Sequence, residues 1–136
     1  MTGVQTCALP ILQAVITHRY DVLAKYAKSL RQTCAAEIRN LRARAVRIDR
    51  SMIRRLLHRD ARTLPSSDQH AVQEALRHSK VLETVFLMRQ ELAALWQRSN
   101  ASKEQLVHQL EDWCARAERS GIEALEQFSR RLRCYA

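Results

Sequence analysis

Residues that interrupt helices are scarce in this chain. Its 136 residues include only two glycines and two prolines, and from residue 12 onward only Gly121 and Pro65 remain. A β-rich fold needs turn residues about every 8–12 positions, so this composition excludes one. Leu, Ala, Arg, Glu and Gln dominate the chain, and these residues favour helices. The composition therefore predicts an all-α protein.

Long apolar runs and grouped metal ligands are missing too. The most apolar window, residues 81–88, is interrupted by Glu83, whereas a membrane span needs about 18 apolar residues. The four cysteines form no CxxC pair, and no two of the five histidines lie three or four residues apart. Neither set therefore indicates a metal site. No Gly-rich phosphate loop or GxSxG motif is present, so we predict a chain without catalytic residues, cofactor or small-molecule substrate.

Acidic residues are few where the basic residues are concentrated. Residues 12–62 hold 13 Lys/Arg against 4 Asp/Glu, whereas residues 63–136 hold 10 of each. This imbalance indicates an anionic partner, either nucleic acid or a lipid surface, although a solvated helix face would have the same composition. The densest basic stretch contains nine arginines: Arg39, Arg42, Arg44, Arg47, Arg50, Arg54, Arg55, Arg59 and Arg62. We treat the first eight as candidate contacts to lipid or DNA.

Apolar spacing divides the chain into a long basic segment and a bundle within one domain. Residues 12–62 are predicted to form a long helix or helical arm with a bend near 46–51, because an unbroken helix would span about 75 Å. Breaks at Pro65, at 98–102 and at Gly121 delimit further helices near 67–77, 80–98, 103–119 and from 122 onward in the bundle, residues 63–136. Short loops favour antiparallel neighbours. We therefore predict an antiparallel helical bundle of about four to six helices.

Local signals predict where helices start and stop, and which residues form the core. Ser66 with Gln69 and Ser102 with Gln105 have the spacing of capping boxes. Gly121 is suited to the left-handed conformation that ends a helix. Eight large residues are predicted to anchor the core: Leu92, Leu95, Trp96, Trp113, Ile122, Leu125, Phe128 and Leu132.

The first eleven residues, MTGVQTCALPI, fit none of this pattern. They carry no charge, no helical or strand period and no signal-peptide organisation. Residues 2–11 back-translate into the text of a common short-read sequencing adapter. We therefore interpret residues 1–11 as an assembly artefact and expect the natural sequence to begin near Leu12.

The stretch LMRQELAALWQRSNASKEQLVHQLEDWCARAERSGIEALEQFSRRLRCYA carries a family resemblance. With the LLHRDA…LP approach to Pro65, it resembles a helical module shared by DesA-type bacterial fatty acid desaturases and ISL3 family transposases. The resemblance covers residues 12–136. The matching positions are Leu92, Leu95, Trp96, Trp113, Ala117, Ser120, Gly121, Ile122, Leu125, Phe128 and Leu132.

The resemblance implies a non-catalytic fragment under either family. As a desaturase tail, our preferred interpretation, the chain would lie in the bacterial cytoplasm at the inner face of the membrane. It would dock on anionic lipid or on the rest of a di-iron enzyme, whose histidine boxes this chain lacks. As the alternative, it would be a helical insertion in a DDE transposase, where three acids hold two metals, and its arginines would contact DNA phosphates. The transposase needs a further acid after Ala136, which favours the desaturase. A stand-alone helical interaction module is the second alternative.

Overall fold

The structure, a computed structural model, describes residues 14–15, 17–48, 51–59, 63–97 and 102–134. Within these ranges it contains no strand and confirms the all-α bundle prediction. The segment predicted to be an artefact, residues 1–11, lies outside the described residues. The helices are α1 (Arg19–Ala43), α2 (Met52–Leu57), α3 (Ser66–His78), α4 (Lys80–Leu95), α5 (Lys103–Glu118) and α6 (Glu123–Arg133).

The 25-residue helix α1 is the central element of the bundle. It packs against α2, α4 and α6, while α4 also contacts α2, α3 and α5, and α5 packs on α6. Burying a stripe on one side of α1 leaves its opposite side to solvent, where its basic residues lie. The buried stripe of α1 comprises Val22, Tyr26, Ala27, Leu30, Cys34, Ile38 and Leu41.

Helix α1 ends at Ala43, before the bend that was predicted near 46–51. The backbone N–H of Val46 donates to the carbonyl of Leu41 (3.0 Å), and that of Ala45 donates to Arg42 (3.0 Å). This pair of bonds is the Schellman pattern, which requires a left-handed residue just past the helix end. Ala45 occupies that position with φ of 65°. The Arg42 guanidinium then donates twice to the carbonyl of Ile48 (2.7 and 3.1 Å) and closes the turn.

Replacing Ala45 with glycine is expected to stabilise the protein by about 1 kcal/mol, because the Cβ of a left-handed alanine is unfavourable. Ala43→Gly is the matched control. It lies inside the last turn of α1, where glycine should destabilise by about 0.5–1 kcal/mol. Urea unfolding followed by helical circular dichroism would measure both changes. Equal destabilisation by the two substitutions would contradict the left-handed assignment at Ala45.

Capping at the other helices partly follows the predicted signals. The box at α5 is confirmed, because Ser102 Oγ accepts from the N–H of Gln105 (3.1 Å) and Gln105 Oε1 accepts from the N–H of Ser102 (3.0 Å). The box predicted at Ser66 is wrong. Helix α3 begins one residue earlier, with Pro65 as its N-cap, so the Gln69 amide donates instead to the carbonyl of Leu64 (2.7 Å). Gly121 has the predicted positive φ, 77°.

A triangle of aromatic rings joins α1, α5 and α6 at the centre of the core. The rings of Tyr26, Trp113 and Phe128 meet edge to face, with centroids 5.2–6.2 Å apart. Two polar atoms in the triangle bond to α4, since Tyr26 Oη donates to Val85 O (2.6 Å) and Trp113 Nε1 donates to Met88 O (2.8 Å). These bonds satisfy the polar ends of buried rings and attach α4 to the triangle.

The residues predicted as core anchors lie in or against this core. Trp96 and Ile122 are half-buried and pack on its edge, whereas the other six are buried: Leu92, Leu95, Trp113, Leu125, Phe128 and Leu132. Among the described residues, no helix is both long and apolar enough to cross a bilayer.

Candidate nucleic-acid interface

The outward face of α1 carries a row of basic residues. Lys28, Arg31, Arg39 and Arg42 are separated by three, eight and three residues. This spacing places them on one helix face, away from the buried stripe. All four are exposed.

Helix α2 extends this positive face. Partial burial lowers the pKa of His58, and the nearby charges of Arg89, Arg54 and Arg31 lower it further. Charged side chains on α1, α2 and α4 therefore all lower the pKa of this one imidazole. Because α1 packs against α2, Arg31 on α1 and Arg54 on α2 are near enough for both charges to act on His58. We call the positive face formed by α1, α2 and the turns that follow them the basic surface. It is defined by six exposed cations: Lys28, Arg31, Arg39, Arg47, Arg54 and Arg59.

Three of the eight candidate arginines have structural partners. Arg42 donates to the carbonyl of Ile48, as described above. Arg44 reaches the carbonyl of His78 at the end of α3 (3.4 Å). Arg55 is half-buried and forms an ion pair with Asp68 of α3 (2.9 Å). These arginines join helices, so they are less available to an external anion.

Four further candidates, Arg39, Arg47, Arg54 and Arg59, have free guanidinium groups. Within the described part of the chain, none of these groups makes a hydrogen bond or an ion pair. The remaining candidate, Arg50, lies outside the described residues, as does Arg62. The structure thus divides the described arginines of the stripe into those whose side chains bond to other parts of the fold and those whose guanidinium groups have no partner among the described residues.

The described acids near the basic surface are already engaged. Asp21 pairs with Lys25 (3.1 Å), and Glu37 accepts a hydrogen bond from Ser79 (2.6 Å), which also caps α4 through the N–H of Leu82. The charge of Asp21 is balanced by Lys25, and Glu37 is a single negative charge against the three cations Lys28, Arg31 and Arg39. The surface keeps a positive field that attracts anions.

Sequence reasoning missed three contributors to this region. Lys28 and Arg31 lie upstream of the arginine-rich stretch, and their spacing from Arg39 is the signal that could have found them. Arg89 is 5% exposed, and it donates to the carbonyls of Leu57 (2.7 Å) and Arg59 (3.1 Å) at the end of α2. No periodic pattern indicates such a role, because its partners lie about 30 residues away in the chain.

No catalytic centre is recognisable in the described ranges. They contain no group of three or more His, Cys, Asp or Glu side chains arranged to hold a metal ion. The metal pair that a DDE active site implies therefore has no ligand set among these residues. Burial, helped by Glu37, raises the pKa of Cys34 to about 12, and burial likewise raises the pKa of Cys114. Both groups are thiols at neutral pH and poor nucleophiles.

A match to a protein family decides between the two resemblances. The family model of DDE transposases of the ISL3 type, described as "Transposase", matches residues 7–136. The chain belongs to the ISL3 transposase family. A curated relative of this ISL3 chain is the transposase for insertion sequence element IS1001 of Bordetella parapertussis, 33% identical over 127 residues. The match covers 89% of this chain and 30% of that protein. No solved structure matches the chain.

The preferred sequence interpretation gains no support from these comparisons. The family match supports the transposase alternative, and neither comparison relates this ISL3 chain to a desaturase. The membrane-surface partner and the desaturase parent depended on that interpretation. The missing acid after Ala136 does not discriminate between the two families, because the chain spans only 30% of its curated relative's length.

Proposed function

We propose that this chain is a DNA-contacting helical part of an ISL3 transposase, acting in the bacterial cytoplasm. The observation that carries the proposal is the basic surface formed by α1, α2 and the turns that follow them, whose guanidinium groups lack partners in the described chain. Membership of a transposase family makes DNA the anionic partner to test first. The arginines would bind phosphates, so they would orient the duplex without reading its sequence.

The dimensions of the basic surface suit a duplex. Lys28 and Arg39 are eleven residues apart, which corresponds to about 16 Å along α1. Over about 16 Å of axis, duplex DNA presents about ten phosphate charges. Each exposed guanidinium can hold a phosphate through two parallel hydrogen bonds. In the whole transposase, we assign DNA binding to this part and the catalytic reactions on the DNA strands to parts outside it.

A triple substitution of Arg39, Arg47 and Arg54 by glutamine tests the proposal. Binding of the chain to blunt duplex DNA would be measured from about 50 mM to about 300 mM salt. Loss of three phosphate contacts should reduce the slope of log affinity against log salt by about 2.7 and lower the low-salt affinity more than tenfold. The three side chains are exposed, so the fold should persist.

The matched control replaces three exposed arginines elsewhere, Arg77, Arg119 and Arg130, by glutamine. Net charge changes equally in both triples, yet the control should keep the salt slope of the unaltered chain. Identical losses in both triples would show a diffuse charge effect and contradict the proposed surface. Anionic vesicles provide a further comparison, since binding to vesicles but not to DNA would favour a membrane-surface role instead.

A further inference from the structure

A cleft of about 390 Å³ lies where the start of α1 meets the end of α2 and the middle of α4. Its volume falls in the range of small-ligand sites. Arg59 lines it and also belongs to the basic surface, so the cleft continues the path along which we place DNA. Among the residues that line the cleft are Arg19, Tyr20, Arg59 and Arg89.

Tyr20 presents an aromatic ring to solvent at the mouth of this cleft. Its side chain is 81% exposed, the largest exposure among the big apolar residues of the described chain. The guanidinium carbon of Arg19 lies 5.6 Å from the ring centroid, which is a cation–π distance. Because the ring remains so exposed, it still offers a flat surface to another planar group. An exposed ring beside cations is the arrangement that unpaired bases use for stacking.

Arg19 also carries a hydrogen-bond donor that has no acceptor in the described part of the chain. Its Nε atom is buried and makes no hydrogen bond to any described residue. Buried donors in proteins are nearly always paired, so a phosphate oxygen in the cleft would supply an acceptor for this one. Arg59 adds an exposed guanidinium nearby. Arg89, in contrast, is committed to backbone carbonyls and supplies only background charge.

We infer that the cleft binds one unpaired nucleotide of DNA, with its phosphate on Arg19 and Arg59 and its base stacked on Tyr20. The ring distinguishes a nucleotide from a bare phosphate or a lipid headgroup, neither of which has a planar surface to stack. The inference rests on the proposed function, because the nucleotide would extend a duplex that lies on the basic surface.

The test compares two duplexes that differ only in the bases of a three-nucleotide overhang. One overhang carries 2-aminopurine and normal bases, and the other is abasic, so both present the same phosphates. The overhang is placed at the 3′ end in one set and at the 5′ end in another. The chain should bind the base-bearing overhang about tenfold more tightly at one of the two ends. Stacking should also quench the 2-aminopurine fluorescence.

Variants of Tyr20 show whether the ring causes this preference. Tyr20→Ala should abolish the preference and leave the affinity for blunt duplex unchanged, whereas Tyr20→Phe should retain the preference. Leu87→Ala, at another exposed apolar residue, is the control and should behave like the unaltered chain. Thermal melts would verify that each variant is folded.

The outcomes separate this inference from the proposed function. Equal binding of base-bearing and abasic overhangs, with blunt duplex still bound, would overturn the nucleotide site alone. A preference that survives in Tyr20→Ala would overturn the assignment of the ring. If the chain bound neither duplex, the nucleotide site and the proposed function would both fall.

Discussion

Replacing Trp113 with alanine is expected to lower the free energy of unfolding by about 4 kcal/mol. The side chain is 1% exposed and lies in the aromatic triangle with Tyr26 and Phe128. Alanine would leave a cavity that α1, α5 and α6 all border, and helices held by other contacts cannot collapse to fill it. It would also remove the donor to the Met88 carbonyl. A domain of this size has about 5–15 kcal/mol of stability, so a weakened fold should remain measurable.

Two further tryptophan variants divide this effect into its parts. Trp113→Phe keeps an aromatic ring but loses the Nε1 donor, and it should cost about 1–2 kcal/mol. Trp96→Ala removes the same side chain from the half-buried end of α4, where solvent can fill the space, and it should cost about 1–2 kcal/mol. Urea unfolding would rank the three. If Trp113→Ala lowered the free energy of unfolding no more than Trp96→Ala does, the aromatic triangle would not be the central packing unit.

Replacing Arg89 with methionine is expected to cost about 3 kcal/mol, because two carbonyls at the end of α2 lose charged donors. Methionine has similar length and no charge. It would therefore fill the space while leaving the carbonyls of Leu57 and Arg59 without the bonds that now join α4 to α2. Arg89→Lys is the control. It keeps the charge but lacks the planar fork that reaches two acceptors, so its loss should be intermediate.

Hydrogen exchange and DNA binding together show what Arg89 does. In Arg89→Met, the amides of α2 should exchange faster, since this six-residue helix depends on its attachments. DNA affinity should fall because Arg54 and Arg59 lose their fixed positions, whereas the salt slope should change little because buried Arg89 touches no phosphate. If the slope of log affinity against log salt fell by about 0.9, the value of one phosphate contact, Arg89 itself would bind DNA.

Helix boundaries were predictable where local chemistry sets them. The capping box of Ser102 and Gln105 and the left-handed Gly121 need only neighbouring residues to form. The end of α1 was not predictable in this way. Ala45 is an unfavourable left-handed residue, and the turn there depends on the bonds from Arg42 to Ile48 and on packing of the following residues. At α3, the extended conformation of Pro65 moved the helix start by one residue and displaced the expected box.

The total positive charge, its position in residues 12–62 and the all-α class were properties of the sequence alone. Composition and 3.6-residue periodicity are sufficient for these, because they depend on residue type and near spacing. Only the tertiary structure decided which arginine side chains are held by bonds to other parts of the fold. Arg44 bonds to a residue 34 positions away, and Arg89 to one 32 positions away. The periodicity of a sequence carries no information about partners so far apart, so the division between arginines that hold the fold and arginines left free to bind an anion arises only when the helices pack.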